Sequence, residues 1–276
     1  MTDSTRPLPL LGAALTLDTL ALHRDWIFER QRDLELQDFC FAEVLSGDWR
    51  SRADAARTAL AGYRGRLGIH GPFWSLPLAA DDPEIRAVVA RRMAQGLDVC
   101  EAIGATQMVI HSPYTTWDHA NLDEHRDARA RLIERAHLTL DAAVARARDI
   151  GTTLVIENIE DKDPHARVEL AASFDAAVVR VSLDTGHAHY AHGSTGAPPV
   201  DRYVQAAGAA LDHVHIQDAD GYADRHWLPG EGTVAWPAVF RAVAKYCDRP
   251  RLLIEVKDQV GLRRGADHLV GLGLAE

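Results

Sequence analysis

The stretch QMVIHSPY (107–114), the helical pattern RLIERAHLTLDAAVARARDIG (131–151) and TLVIENIE (153–160) decide the fold class. The core LVI of TLVIENIE is followed further along the chain by the similar strand cores VHI and LLI. Such cores suit a parallel sheet buried on both faces better than a half-exposed antiparallel one. The helical pattern places Leu132, Ala136 and Leu140 on one face, and Gly151 is a plausible C-cap. These segments predict a strand–helix–strand unit.

The same alternation runs along the whole chain. Further strands are predicted at 11–17, 34–41, 66–73, 179–186, 211–218 and 251–258, and further helices at 83–104 and 237–248. Eight strands alternating with helices in about 250 residues predict an α/β protein with a single (β/α)8 TIM barrel. The alternative is an open doubly wound sheet, but no glycine-rich nucleotide loop follows the first strand. We expect one barrel domain over residues 1–276, with the long segment 218–236 as an active-site cover.

Composition excludes several classes of protein. The 276 residues are 47% hydrophobic and 25% charged, which are ordinary globular values and exclude disordered, collagen-like and coiled-coil chains. Thirty basic and 40 acidic residues give a net charge of −10, which disfavours nucleic acid as a partner. The 3 scattered cysteines form no CxxC pair. The N-terminus shows no signal-peptide pattern, and no apolar run approaches about 18 residues, so we expect a cytoplasmic protein without membrane association.

Polar side chains end six consecutive predicted strands. They are His70, His111, Glu157, Asp184, His215 and Glu255. The carboxyl ends of barrel strands converge on the axis, where the active site lies. Three carboxylates and three imidazoles in one cavity would repel or stay protonated without a cation, so a divalent metal ion is predicted. Singly, such residues have structural interpretations: Asp184 could be a turn residue before Gly186, and His213 a surface residue on its strand.

The residue types bear on the identity of the metal. The four ligand candidates on the last four strands are rich in oxygen: Glu157, Asp184, His215 and Glu255. That set suits Mn²⁺, Mg²⁺ or Co²⁺ at least as well as Zn²⁺. Four further histidines favour zinc: His70, His111, His187 and His226.

Four segments resemble the xylose isomerase-like TIM-barrel superfamily. They are IENIED (156–161), LDTGHAHYAHG (183–193), HVHIQDADGYADRHWLPGEG (213–232) and LLIEVKD (252–258). That superfamily contains sugar and sugar-phosphate isomerases and epimerases, inosose dehydratases and the endonuclease IV family. The resemblance runs from about residue 11 to 258 and, like the strand pattern, implies a TIM barrel.

The resemblance also implies site residues. The mononuclear metal site of the isomerases and epimerases falls on Glu157, Asp184, His215 and Glu255. The two glutamates of that site also exchange a proton with the substrate carbon in the epimerases. In endonuclease IV these positions are joined by others that hold three zinc ions, and their counterparts here are His70, His111, His187, Asp224 and His226.

The chain departs from both branches of the superfamily. Ketose 3-epimerases usually carry a substrate-binding glutamate where this chain has Asp163, and an arginine where it has Gly221. Arg225 could substitute for that arginine. Compared with endonuclease IV, the segment between His215 and Asp224 is shorter, and the loops after the first strands are not obviously basic.

The leading hypothesis is a metal-dependent isomerase or epimerase of a small ketose or keto-polyol. The metal would chelate the carbonyl and an adjacent hydroxyl and stabilise an enediolate, while Glu157 and Glu255 serve as base and acid. His187 would bind a substrate oxygen. Trp74, Trp117, Trp227 and Arg225 would line the pocket.

Other functions stay open at this point. A dehydratase or lyase of a keto-polyol would use the same metal, with His226 or Asp224 as the acid. A trinuclear zinc phosphodiesterase like endonuclease IV is the second class, and a binding protein that has lost turnover is the third. The expected partner is a small carbohydrate, and the sequence leaves open whether the chain forms a homo-oligomer.

Overall fold

A closed barrel of eight parallel strands forms the centre of the protein. The computed structural model describes residues 7–122, 124 and 126–276. The strands lie in chain order around the barrel, and β1 closes it by pairing with both β2 and β8. They are β1 (Gly12–Leu15), β2 (Leu34–Leu36), β3 (Leu67–His70), β4 (Gln107–His111), β5 (Thr153–Glu157), β6 (Val179–Asp184), β7 (Leu211–Ile216) and β8 (Arg251–Ile254). The barrel is confirmed, and each predicted strand is present but shorter than predicted.

Helices surround the barrel between successive strands. They are α1 (Leu17–Arg30), α2 (Ala42–Ser46), α3 (Trp49–Ala59), α4 (Pro83–Ile103), α5 (Thr116–Asn121), α6 (Ala128–Ile150), α7 (Pro164–Ala172), α8 (Thr185–Thr195), α9 (Val200–Ala207), α10 (Trp236–Tyr246) and α11 (Leu262–Gly271). The three predicted helices correspond to α4, α6 and α10. Gly151 ends α6 at φ 70°, in the left-handed region that glycine adopts without a steric penalty. No helix of the described residues is long and apolar enough to cross a membrane.

The barrel wall is buried on both faces. Leu154, Val155 and Ile156 on β5 are all 0% exposed, so alternate residues pack into the barrel and against the surrounding helices. The helix side of this core includes Ala136 and Leu140 of α6, which are also fully buried. The strands therefore form a rigid base for side chains at their carboxyl ends.

The long segment 218–236 after β7 is folded back on itself. Asp218 and Trp227 exchange two backbone hydrogen bonds of 2.9 and 3.1 Å, which makes an isolated antiparallel bridge. The buried Asp218 carboxylate also accepts hydrogen bonds from Gly230 N at 2.8 Å, Val234 N at 3.0 Å and Trp236 Nε1 at 3.1 Å. One carboxylate thus holds both ends of the loop against the barrel.

Candidate metal centre

Four side chains meet at the carboxyl ends of the last four strands, and we call them the central group. Glu157 ends β5, Asp184 ends β6, His215 is next to last in β7, and Glu255 directly follows β8. One donor atom from each lies within 4.8 Å of the others, and all four residues are buried. The Nδ1 atom of His215 is 2.6 Å from Glu157 Oε1 and 3.3 Å from Glu255 Oε2. The four predicted ligands are therefore brought together.

A second group, the strand group, shares Glu157 with the central group. Its other members, His70 and His111, end β3 and β4. Their Nε2 atoms lie 3.6 and 3.4 Å from Glu157 Oε2. His70 Nδ1 lies 2.9 Å from Gly71 O, to which it donates, and this contact turns Nε2 toward the carboxylate. One glutamate thus presents one oxygen to each group.

A third group, the loop group, lies where the long loop meets the start of α8. It consists of His187, Asp224 and His226. Asp224 Oδ1 is 3.5 Å from His187 Nε2 and 3.2 Å from His226 Nε2. His187 Nδ1 lies 2.9 Å from Asn158 O, to which it donates, and this contact turns Nε2 toward Asp224. All nine residues expected from the endonuclease IV resemblance therefore fall into three neighbouring groups.

The electrostatics of the central group fit a divalent cation. Glu157 Oε2 and Asp184 Oδ2 are buried, and neither has a hydrogen-bond partner among the described residues. Burial raises the pKa of Asp184 to about 6. Burial alone would lower the pKa of His215, but Glu255, Glu35 and Glu157 raise it well above its usual value. The imidazole thus carries a proton between carboxylates, a role that a cation bound to the same atoms would take over.

Gln217 joins the central group to the loop group, and sequence reasoning missed it. Its Nε2 donates to Asp184 Oδ1 and to Asp224 Oδ1, both at 3.1 Å. Its Oε1 accepts a hydrogen bond from His226 N at 2.9 Å. Gly186 provides the space, because a Cβ atom there would overlap the Gln217 amide. The available signal in the sequence was the position of this glutamine, two residues after His215 and directly before the long loop.

Two residues of the β2 segment were also missed. Gln37 Nε2 donates to Glu255 Oε1 at 2.5 Å, and Gln259 Nε2 donates to Gln37 Oε1 at 2.7 Å. Glu35, inside β2, lies 3.0 Å from His215 Nε2 and is 1% exposed. The available signal for Glu35 was an ionisable residue between two leucines of a buried strand.

The predicted pocket-lining residues lie in segments that follow β3, β4 and β7. Trp74 and Trp117 follow β3 and β4 and are 62% and 75% exposed. Trp227 is partly buried, and the Arg225 guanidinium lies 5.2 Å from its ring centroid. Arg225 forms a salt bridge of 2.8 Å with Asp220. The structure thus holds this arginine to its own loop.

The two positions that depart from the ketose 3-epimerases have local roles. Asp163 is the N-cap of α7, where its carboxylate accepts a hydrogen bond from His165 N at 2.9 Å. Gly221 lies in the loop at φ 76°, a conformation that favours glycine over arginine. Both departures are therefore explained by backbone structure.

Comparison with known proteins identifies the family. The profile of the xylose isomerase-like TIM barrel family matches residues 34–271. The chain therefore belongs to the xylose isomerase-like TIM barrel family.

Individual relatives are more distant. An uncharacterized protein of Methanocaldococcus jannaschii, MJ1311, is 24% identical over 178 residues, which are 62% of this chain and 58% of that protein. The fructoselysine 3-epimerase of Escherichia coli O157:H7 is 40% identical over 47 residues, 17% of each chain. The chain thus spans less than two thirds of the length of these curated relatives. The solved structure of the TTHB071 protein from Thermus thermophilus, soaked with ZnCl2, has a TM-score of 0.70 and 26% identity, covering 95% of this chain and 97% of that one.

Proposed function

We propose that this protein is a metal-dependent enzyme that isomerises or epimerises a small ketose or keto-polyol. The observation that carries the proposal is the central group, in which Glu157 and Glu255 reach the same His215 nitrogen from β5 and β8. The two strands are separated by β6 and β7, so the two carboxylates approach from different sides of the barrel. Family membership and the local likeness to a fructoselysine 3-epimerase support this class of reaction.

The chain supplies the groups that a proton transfer needs. A divalent cation bound by the central group would act as a Lewis acid on a substrate ketone. One glutamate would take the proton from the carbon beside the ketone, and the other would return a proton from the opposite side. Gln37 holds Glu255 through Oε1 and leaves Oε2 toward the centre. His187 is positioned through Nδ1 and is offered as a donor or acceptor to a substrate oxygen.

The test is exchange of a substrate proton with solvent deuterium. We would screen ketoses and keto-polyols with Mn²⁺, Co²⁺, Mg²⁺ or Zn²⁺ and follow exchange by mass spectrometry. Glu157→Gln and Glu255→Gln should each reduce exchange by at least about 10²-fold while the circular dichroism spectrum is retained. Glu160→Gln is the matched control, since that carboxylate is exposed and accepts from Thr116 N at 2.7 Å.

The outcomes are distinct. Near-wild-type exchange in either Glu157→Gln or Glu255→Gln would reject the two-glutamate mechanism. A product lighter by one water would identify a dehydratase that uses the same proton abstraction. Exchange without loss of water identifies the isomerase or epimerase.

A second candidate function rests on the sharing of Glu157. The strand group and the loop group flank the central group, and together they offer donors for three cations. Such a cluster could hold phosphate oxygens and activate water for phosphodiester cleavage, as the resemblance to endonuclease IV implies. Elemental analysis of protein purified without chelator separates the candidates. About one cation per chain supports the sugar enzyme, whereas about three zinc ions and cleavage of abasic-site DNA support the phosphodiesterase.

A further inference from the structure

A buried polar chain lies beneath the central group, inside the barrel. Glu35 faces two imidazoles of β7: Oε1 is 3.0 Å from His215 Nε2, and Oε2 is 3.2 Å from His213 Nε2. His213 Nδ1 is 2.8 Å from Ser182 Oγ on β6. Ser182, His213 and His215 are 0% exposed, and Glu35 is 1% exposed. Sequence reasoning allowed His213 as a surface residue, but its side chain lies inside the barrel.

The position of Glu35 is set by the alternation of side chains along strands. His213 and His215 are two residues apart on β7 and therefore point to the same side. Because His215 points into the barrel, His213 does too, one layer deeper. Glu35 lies across the barrel from them on β2 and closes the gap with one oxygen for each ring.

The chain of contacts selects one tautomer of His215. A neutral imidazole carries its proton on only one of its two nitrogens. When a cation takes the place of the proton that Nδ1 shares with Glu157 and Glu255, one ring proton remains. The carboxylate of Glu35 can only accept, so it holds that proton on Nε2 and leaves the lone pair of Nδ1 to the cation. That Nδ1 is the atom that faces Glu157 and Glu255 in the central group.

We infer that Glu35 is a positioning residue that holds His215 with Nδ1 directed at the cation, and that Ser182 and His213 hold Glu35 in turn. Because the carboxylate 3.2 Å from His213 Nε2 can only accept, the proton of a neutral His213 belongs on Nε2, and the Ser182 hydroxyl is then the donor to Nδ1. This inference rests on the proposed function, since it concerns how strongly the central group binds its metal ion. Carboxylates that orient metal-binding histidines in this way typically change metal affinity by about 10–100-fold.

The experiment compares two substitutions of Glu35 with one matched control. Glu35→Gln keeps the shape, but its amide can turn to offer a donor to His215, so both tautomers become accessible. Glu35→Met removes the acceptor altogether. Gln107→Met is the control: Gln107 is also a buried polar residue of a barrel strand, but it lies four residues before His111 and donates to Asp212 Oδ2 at 2.8 Å.

Two measurements are made on each protein. Isothermal titration with Mn²⁺ and Zn²⁺ gives the affinity of the tightest site, which should fall about 10-fold in Glu35→Gln and up to about 100-fold in Glu35→Met. Gln107→Met should stay within about 2-fold of wild type. Nuclear magnetic resonance of ¹⁵N-histidine protein loaded with Zn²⁺ should show a slowly exchanging proton on His215 Nε2 in the wild type. That proton should be lost or exchange rapidly in Glu35→Met.

Each outcome decides a different point. Unchanged affinity and an unchanged Nε2 proton in folded Glu35→Met would overturn the inference and leave the proposed function standing. If Glu35→Met does not fold, Glu35→Gln decides by the same two measurements. A wild-type chain that binds no cation would reject the proposed function and the inference together, whereas a chain that binds its cation equally well in Glu35→Met rejects the inference alone.

Discussion

Replacing Asp218 by asparagine should both destabilise the barrel and release the loop that carries Asp224 and His226. Asp218 is 1% exposed, and each of its carboxylate oxygens accepts two hydrogen bonds. Oδ1 accepts from Ala219 N and Val234 N, both at 3.0 Å. Oδ2 accepts from Gly230 N at 2.8 Å and Trp236 Nε1 at 3.1 Å.

The magnitude follows from the number of donors left without an acceptor. An asparagine amide keeps one oxygen and replaces the other with NH₂, so one of the two pairs of donors faces another donor. A hydrogen bond to a charged group contributes about 1.5–3 kcal/mol, and relaxation of the loop recovers part of that. We therefore expect Asp218→Asn to lower the free energy of unfolding by about 2–4 kcal/mol, through two lost bonds.

The assay has two parts. Urea unfolding gives the free energy of unfolding, and elemental analysis gives the number of bound cations per chain. Asp220→Asn is the matched control, since Asp220 lies on the same loop but is exposed enough for solvent to screen its pair with Arg225. If the wild type holds more than one cation per chain, Asp218→Asn should lose those of the loop group while the cation of the central group stays bound; if it holds one, the cation content should not change. Asp220→Asn should change neither measurement substantially. An Asp218→Asn protein with wild-type stability would refute the reasoning.

Three further predictions concern residues near the donor groups and the effect of a bound metal ion on stability. Gly186→Ala should lower the free energy of unfolding, measured in urea, by about 1–3 kcal/mol and should weaken cation binding, because the new Cβ would displace the Gln217 amide. Unchanged cation binding would show that the position of Gln217 does not matter for it. Arg167 is 0% exposed and lies 3.6 Å from Asp161. Arg167→Met should lower the free energy of unfolding by about 3–5 kcal/mol, because the buried carboxylate of Asp161 loses its guanidinium partner. A smaller decrease in the double variant Asp161→Asn/Arg167→Met than in Arg167→Met would confirm the pairing. Removal of bound metal with a chelator should lower the thermal midpoint, and added cation at about 100 times its Kd should restore about 2.7 kcal/mol; a midpoint insensitive to both treatments would contradict a folded-state metal site.

The barrel was predictable because its signal is repeated. Eight apolar strand cores separated by helical patterns exclude most other architectures, and the errors at strand ends do not change the topology. The predicted strand at 34–41 shows the typical error, since β2 ends at Leu36 and a short 3-10 turn follows at Asp38–Cys40. Local pattern marks where an apolar run ends, but hydrogen bonding decides where pairing ends.

The residues of the central and strand groups were predictable for the same reason, whereas the buried Glu35 beneath them was not. Residues that end strands can be identified from the sequence, because a polar side chain interrupts an apolar run at a known place in the fold. Glu35 also interrupts an apolar run, but it does so inside a strand, where a charged residue can face either the helices or the barrel interior. Only the pairing of β2 with its neighbours and the reach of its side chain to His215 resolve that choice.

The two candidate functions differ in how many of the three donor groups bind a cation. These groups lie on different parts of the fold. The central and strand groups stand on strand ends, where neighbouring strands fix them side by side; His111 pairs in register with Glu157, and Asp184 with His215. The loop group depends on a loop that is held by the carboxylate of Asp218. Local opening of a loop costs less free energy than opening of a core strand. We therefore expect the order of the loop to govern how many cations bind, and a chain that loses the loop group to keep the donors that the proposed single-metal sugar enzyme requires.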